Sequence, residues 1–191
     1  LMQNLIPVFA DVDSRNMLID PGSAEACLTK RTGAIIVTHL AGCPADLGAF
    51  TALCRRRKIA LIEDCAQAHG ARYKGRSIGA LGADLTVFSF NGNKTVTAGG
   101  GGAVAGDDQS LCERVRHLTT TARTSADYDH DMVGFNYRMT NVQAAVGCAQ
   151  MEQLDSFVAA KRRIARGYDE ALRGLPGVGL FPNPDWAESA C

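Results

Sequence analysis

Three apolar runs constrain this chain more than any other feature. They are Ala34-Ile35-Ile36-Val37-Thr38-His39-Leu40, Ile59-Ala60-Leu61-Ile62-Glu63-Asp64 and Leu85-Thr86-Val87-Phe88-Ser89-Phe90. Short continuous runs rich in β-branched residues are the habit of strands covered on both faces, as in parallel sheets. Two further runs read as strands: 7–12, ending in the polar Asp13-Ser14-Arg15-Asn16, and 102–105. Helical spacing fills the intervals. Residues 23–30 read as a short helix entered through Pro21-Gly22. Leu47, Phe50 and Cys54 recur on one face, with Pro44 in place for a first helical residue. Strands separated by helices imply right-handed βαβ units, hence an α/β chain with a mainly parallel sheet flanked by helices.

The second half reads as helical. Asp107 or Asp108 can cap a helix carrying Leu111, Val115 and Leu118. Thr140 can cap one carrying Val142, Ala145, Val146 and Ala149. A third runs from about 155 to 175, with Phe157, Ile164, Tyr168 and Leu175 on one face, and Gly174, Pro176 and Gly177 end it. Residues 183–186 read as a linker.

Composition narrows the function. With 46% hydrophobic and 21% charged residues the chain packs a core. Twenty Lys+Arg balance twenty Asp+Glu, which argues against nucleic-acid and membrane partners, since both need a clustered positive field. The seven cysteines are odd in number and form no CxxC pair, so neither a zinc ribbon nor a disulfide framework fits, and a reducing cytoplasm does. The start, Leu1-Met2-Gln3-Asn4, carries no basic signal region, and the true N-terminus is expected upstream.

In α/β sheets ligands bind beyond the carboxyl ends of the strands. Asp64 ends one strand and Gln67 follows it; Asp64 reads equally as the cap of a following helix. Ser89 ends the next strand, and Lys94 follows just before the run Gly99-Gly100-Gly101-Gly102, where backbone can approach a ligand. A lysine in a partly dry crevice is a usable nucleophile towards carbonyls. Asp64, Lys94 and Ser89 together offer a carboxylate, an amine and a phosphate donor, the three demands of pyridoxal phosphate. The basic Arg55-Arg56-Arg57-Lys58 reads as a solvated last helical turn. His39 reads as a satisfied polar group or a crevice residue, and His69, His117 and His130 share no metal-ligand spacing.

Three ordered motifs then carry a resemblance: Glu63-Asp64-Cys65-Ala66-Gln67-Ala68-His69-Gly70, Phe88-Ser89-Phe90-Asn91-Gly92-Asn93-Lys94-Thr95 and Gly134-Phe135-Asn136-Tyr137-Arg138-Met139. The chain resembles the DegT/DnrJ/EryC1/StrS family of sugar aminotransferases over about residues 6–182. The resemblance implies an incomplete large domain of a type I pyridoxal-phosphate-dependent transferase over 1–178, with the small C-terminal domain beginning in 179–191. It implies pyridoxal 5'-phosphate as cofactor. Lys94 would hold the cofactor and move the proton, Asp64 would pair with the ring nitrogen, and Gln67 would sit by the ring hydroxyl. Ser89 would hold the phosphate, and Asn136 would reach the phosphate in a neighbouring subunit's site. Arg138 and Asn91 are candidates for substrate contacts, Arg138 being equally readable as a helix-entry ion pair.

The implied function moves an amino group, with glutamate as donor, to a keto-deoxy nucleotide sugar for polysaccharide biosynthesis, in a cytoplasmic homodimer. A minority of the family, dehydratases, carry His in place of the lysine; Lys94 favours transamination. The other readings are such a dehydratase, or a non-catalytic fragment serving as a ligand-binding or assembly module.

Overall fold

The computed structural model describes residues 3–191. Its centre is a four-stranded sheet in the order β1-β2-β5-β6, formed by β1 (Ala34–Thr38), β2 (Ala60–Asp64), β5 (Leu85–Ser89) and β6 (Gly102–Ala105). β1, β2 and β5 run parallel, and β6 returns antiparallel beside β5. The mainly parallel α/β architecture expected from the sequence is therefore present. β3 (Arg72–Tyr73) and β4 (Arg76–Ser77) make a small hairpin, and β7 (Ala187–Glu188) pairs antiparallel with β3.

Only one face of the main sheet is covered. Helices α1 (Pro21–Ala26) and α2 (Leu47–Arg57) pack on the face that carries Ile35, Val37 and Leu61, with Phe50 fully buried at the centre. The opposite face carries Ile36, 61% exposed, and Val87, 37% exposed. The unbroken apolar character of these strands predicts cover on both sides, and the structure supplies it on one. The accessible surface is 12438 Å², whereas a compact protein of this mass exposes roughly 8,800 Å².

Local chemistry explains the remaining boundaries. Residues 7–12 make no strand. Val12 forms a single bridge with Ile19, Leu5, Ile6, Val8 and Phe9 are exposed, and the run pairs with neither edge strand of the main sheet, β1 or β6. α1 starts at Pro21, ahead of the expected position, because the Asp20 carboxylate accepts from the Ser23 N–H. α2 starts after Asp46, whose carboxylate accepts from Ala49 N–H, so Pro44 is not its first residue; it is buried and its carbonyl accepts from Trp186 Nε1.

Arg56 and Arg57 in the last turn of α2 both pair with Glu25, at 2.8 and 3.0 Å. Helix α3 (Gln109–Thr119) is capped by Asp108, and α4 (Asn141–Met151) by a Thr140–Gln143 capping box. The amphipathic α5 (Leu154–Leu172) ends before Leu175. Its anticipated apolar face is largely open, with Ile164 and Tyr168 exposed while Val158 docks against Gly70. Residues 184–191 fold back onto the body through β7, and Ala190 N–H donates to the Gly42 carbonyl at 3.0 Å.

Candidate functional site

The alternation of β2 decides what each end residue can do. Glu63 points to the covered face and is fully buried, while Asp64 points to the open face. Asp64 lies between Thr38 of β1 and Val87 of β5, and Ser89, two residues beyond Val87, shares that face. At ordinary strand spacing and rise the Asp64 and Ser89 backbones stand roughly 8 Å apart. No helix follows Asp64, so it caps none. One carboxylate oxygen, Oδ1, accepts from Ala66 N–H at 3.0 Å in a tight turn, and the second makes no hydrogen bond among the described residues.

Lys94 lies in the loop that follows Ser89. This loop is pinned at both ends to one residue: Phe90 N–H donates to the Gly101 carbonyl at 2.9 Å, and Ala98 N–H donates to the Phe90 carbonyl at 2.9 Å. Between them Lys94 N–H donates to the Asn91 carbonyl at 3.0 Å, and its side chain is half-buried. The glycine run has a steric reason. A Cβ on Gly102 would overlap the Phe88 carbonyl oxygen, and one on Gly101 would come within 2.8 Å of Met139 Cε. Met139 directly follows Arg138, so the third motif lies against the base of the lysine loop. Asn91 is exposed, and its amide donates to Asn93 Oδ1 at 3.4 Å.

Gln67 Oε1 accepts from Ala41 N–H at 2.7 Å, which turns its amide nitrogen into the free end. The Ser89 hydroxyl oxygen accepts weakly from Asn91 N–H at 3.4 Å. The structure thus brings Asp64, Gln67, Ser89 and Lys94 to the carboxyl ends of β2 and β5. Asn136 and Arg138 are exposed, and their side chains have no hydrogen-bond partner among the described residues.

Under this surface lies a buried polar pair, His39 and Glu63, of which the sequence reading assigns no role to Glu63. Ala45 N–H donates to His39 Nδ1 at 3.1 Å, which fixes the ring hydrogen on Nε2; Nε2–H donates to Glu63 Oε2 at 3.2 Å. Gly79 N–H reaches the same oxygen at 3.1 Å, and Oε1 has no partner among the described residues. Burial, together with the charges of Glu63 and Asp64, pushes the Cys65 thiol far up, so it stays protonated. His39, Glu63 and Cys65 lie close enough for a metal. A metal on Nε2 would need the proton moved to Nδ1, opposite the Ala45 N–H, so the cluster is a hydrogen-bonded rivet. His39 is the satisfied polar group of the two readings. The signal that finds the pair is the strand alternation, which sends Glu63 inward.

His69 is also buried, with both ring nitrogens unpartnered among the described residues and its ring near Phe88 and Phe90. Burial first, then repulsion from Lys94 and Lys161, holds it below the usual histidine range, hence neutral. Two surface clefts, of about 500 and 360 Å³, lie elsewhere, around Lys58 and Tyr73.

Comparison with known proteins fits this arrangement. The sequence profile of the DegT/DnrJ/EryC1/StrS aminotransferase family matches residues 1–191. The chain belongs to this family. It is 41% identical over 173 residues to the GDP-perosamine synthase of Escherichia coli O157:H7, covering 90% of this chain and 47% of that protein. It is 41% identical over 181 residues to the L-glutamine:2-deoxy-scyllo-inosose aminotransferase of Streptomyces lividus, covering 89% of this chain and 42% of that protein. The crystal structure of S. venezuelae DesV superposes with a TM-score of 0.91 at 37% identity, over 96% of this chain and 49% of DesV. The chain thus spans about half the length of the curated relatives it matches.

Proposed function

We propose that this protein is a pyridoxal-phosphate-dependent sugar aminotransferase, with residues 1–178 belonging to its cofactor-binding large domain and 179–191 opening the small one. The observation that carries the reading is the placement of Asp64, Ser89 and the Lys94 loop at the adjoining carboxyl ends of two parallel strands, on the uncovered face.

The residues present fit the cofactor. Asp64 has one oxygen committed to a backbone turn and the other available for a protonated ring nitrogen. Gln67 has its carbonyl oxygen tied down and its amide free to donate to a ring oxygen. Ser89 carries a hydroxyl whose only hydrogen bond among the described residues is a 3.4 Å one, leaving it free to donate to a phosphate. When bound, pyridoxal phosphate supplies a conjugated ring that accepts the electrons of a developing carbanion. Asp64 would hold the ring nitrogen charged. Lys94 would hold the cofactor through its amine and would serve as the base, then the acid, that moves a proton at the donor carbon.

The relatives support a sugar as acceptor. One is named for perosamine synthesis on GDP, which favours a nucleotide-linked keto-deoxy sugar made for surface polysaccharide. Glutamate is the proposed donor, with the glutamine of the second relative's name as the competing one. A homodimer would bury part of the excess surface, and Asn136 would then serve the neighbouring site. Seven free cysteines suit a reducing cytoplasm, and no helix among the described residues is long and apolar enough to cross a membrane.

The test is a half-reaction. The protein is loaded with pyridoxal phosphate, mixed with glutamate, and followed by absorbance for loss of the cofactor's carbonyl form. Conversion with glutamate or glutamine supports transamination; retention of the cofactor without conversion by any amino acid refutes it.

A further inference from the structure

The third sequence motif lies at one foot of a loop between α3 and α4 whose two ends are clasped together. Phe135 N–H donates to the Leu118 carbonyl at 2.7 Å, Thr121 N–H to the Phe135 carbonyl at 2.9 Å, and Tyr137 N–H to the Thr119 carbonyl at 2.9 Å. Thr120 and Asn136 stand opposite each other as a bridge pair. The far part of the loop is tied to itself. The Arg123 guanidinium stacks 3.9 Å over Tyr128 and donates to the carbonyls of Ser125 and Ala126, and His130 Nδ1–H donates to the Thr121 carbonyl at 2.8 Å.

Two features of the clasp are conformationally costly, and they close the end of α3, where the fully buried Ala122 donates its N–H to the His117 carbonyl at 2.9 Å. Thr121 and Ala122 both take left-handed backbone, at φ 65° and 52°. A β-branched residue there is an outlier, and strained backbone persists where the surroundings over-determine it. Gly134 lies directly on this pair. A Cβ at 134 would overlap Ala122 N and the Thr121 carbonyl carbon, and would stand 2.8 Å from Thr121 Cα, all rigid backbone.

What the clasp presents is an uncommitted polar pair in an apolar setting. Asn136 and Arg138 are exposed, their side chains without hydrogen-bond partners among the described residues, and are flanked by Val133, Tyr137 and Val142 at 87%, 65% and 76% exposure. Exposed apolar side chains around polar groups mark an interface rather than a solvent face. The surface in excess of a compact protein, roughly 3,600 Å² on one chain, is more than the ~1,000–2,500 Å² that one side of an obligate dimer buries, so such an interface fits within it.

We propose that Gly134 and the Thr121–Ala122 pair are positioning residues that hold Asn136 and Arg138 out to complete the site of a second copy of this chain. The proposal rests on the shared-site reading above and adds to it the residues that aim the contributed side chains. A displacement of about an ångström in such a contact can reduce function on the order of a hundredfold.

The experiment mixes inactive partners of the whole protein. Lys94→Ala copies lack the amine but keep the loop; Gly134→Ala copies keep the amine but lose the clasp. A mixed dimer contains one site with both, so equimolar mixing is expected to restore roughly a quarter of wild-type cofactor fixation by borohydride and of turnover. Asn136→Ala is mixed with Lys94→Ala in parallel. Restoration with Asn136→Ala but not with a folded Gly134→Ala overturns the proposal. Restoration with neither, in protein whose wild type still transaminates, overturns the shared-site reading and the proposal with it.

The paired variant Thr121→Gly/Ala122→Gly relieves the strain and guards against a Gly134→Ala that does not fold. It is expected to keep an unchanged or higher melting temperature while losing bound cofactor at least several-fold faster. Unchanged cofactor retention in that variant counts equally against the proposal.

Discussion

Replacing His39 by Ala tests whether the buried His39–Glu63 pair is what holds β2 to its neighbours. The ring is fully buried and makes two hydrogen bonds, to Ala45 N–H and to Glu63 Oε2. Its loss leaves the Ala45 N–H buried and unpaired, at about 1–3 kcal/mol. It also removes a strong donor from a carboxylate whose Oε1 is already unpartnered, a further ~1.5–3 kcal/mol. Together these come to about 4 kcal/mol, which for a protein of this size lowers Tm by roughly 8–16 °C. Differential scanning calorimetry and urea unfolding measure it. The double variant His39→Ala/Glu63→Leu is expected to recover part of the loss, because it removes the stranded carboxylate. A single-variant cost below about 1 kcal/mol, or a double variant worse than the sum of its parts, would refute the reasoning. Zinc should leave the wild-type Tm unchanged, since the ring nitrogen that a metal needs carries a hydrogen.

Other outcomes follow from the same geometry. Gly102→Ala forces β6 away from the Phe88 carbonyl and should cost about 1–3 kcal/mol while weakening cofactor retention, read by thermal melts and absorbance. Iodoacetamide at pH 8 should label the exposed Cys148 and Cys191 first and leave Cys65 and Cys43 slow, because burial pushes the Cys65 thiol far up and the Cys43 thiol up to about 11; mass spectrometry reads the order. The His117 ring, 2.7 Å away, holds the Asp131 carboxyl below its usual range. This anchor of the loop after α3 is therefore present above the unfolded-state value near 4 and is lost as pH falls through the lower folded value. Hydrogen exchange in that loop should rise in this acid window, and an exchange rate that does not change there would contradict the anchor.

The strands of the main sheet and their order along the chain are legible in the sequence because unbroken β-branched runs leave few alternatives. The caps at Asp108 and Thr140 are legible for the same local reason, a side-chain oxygen placed just ahead of helical spacing. Residues 7–12 mislead because apolar alternation says nothing about whether a neighbouring strand exists. The same blindness applies to Ile36 and Val87, whose hydrophobicity announces cover that the sheet does not receive from residues 3–191.

At the site, Asp64 and Ser89 are readable as strand-end residues. That they share a face is not, because it depends on the Asp64–Val87 register. Gln67 as a residue anchored by Ala41 depends on a turn 26 positions away. The strained Thr121–Ala122 pair has no sequence signature, since nothing in its residue types favours left-handed backbone.

The central claim is that Lys94 carries a cofactor whose ring nitrogen meets Asp64. Reduction of the pyridoxal-phosphate-loaded protein with borohydride, followed by peptide mass spectrometry, addresses it directly. The account predicts one pyridoxyl group per chain, on Lys94, with a large drop in bound cofactor for Asp64→Ala. Labelling spread over surface lysines such as Lys58 and Lys74, unchanged by Asp64→Ala, would contradict it.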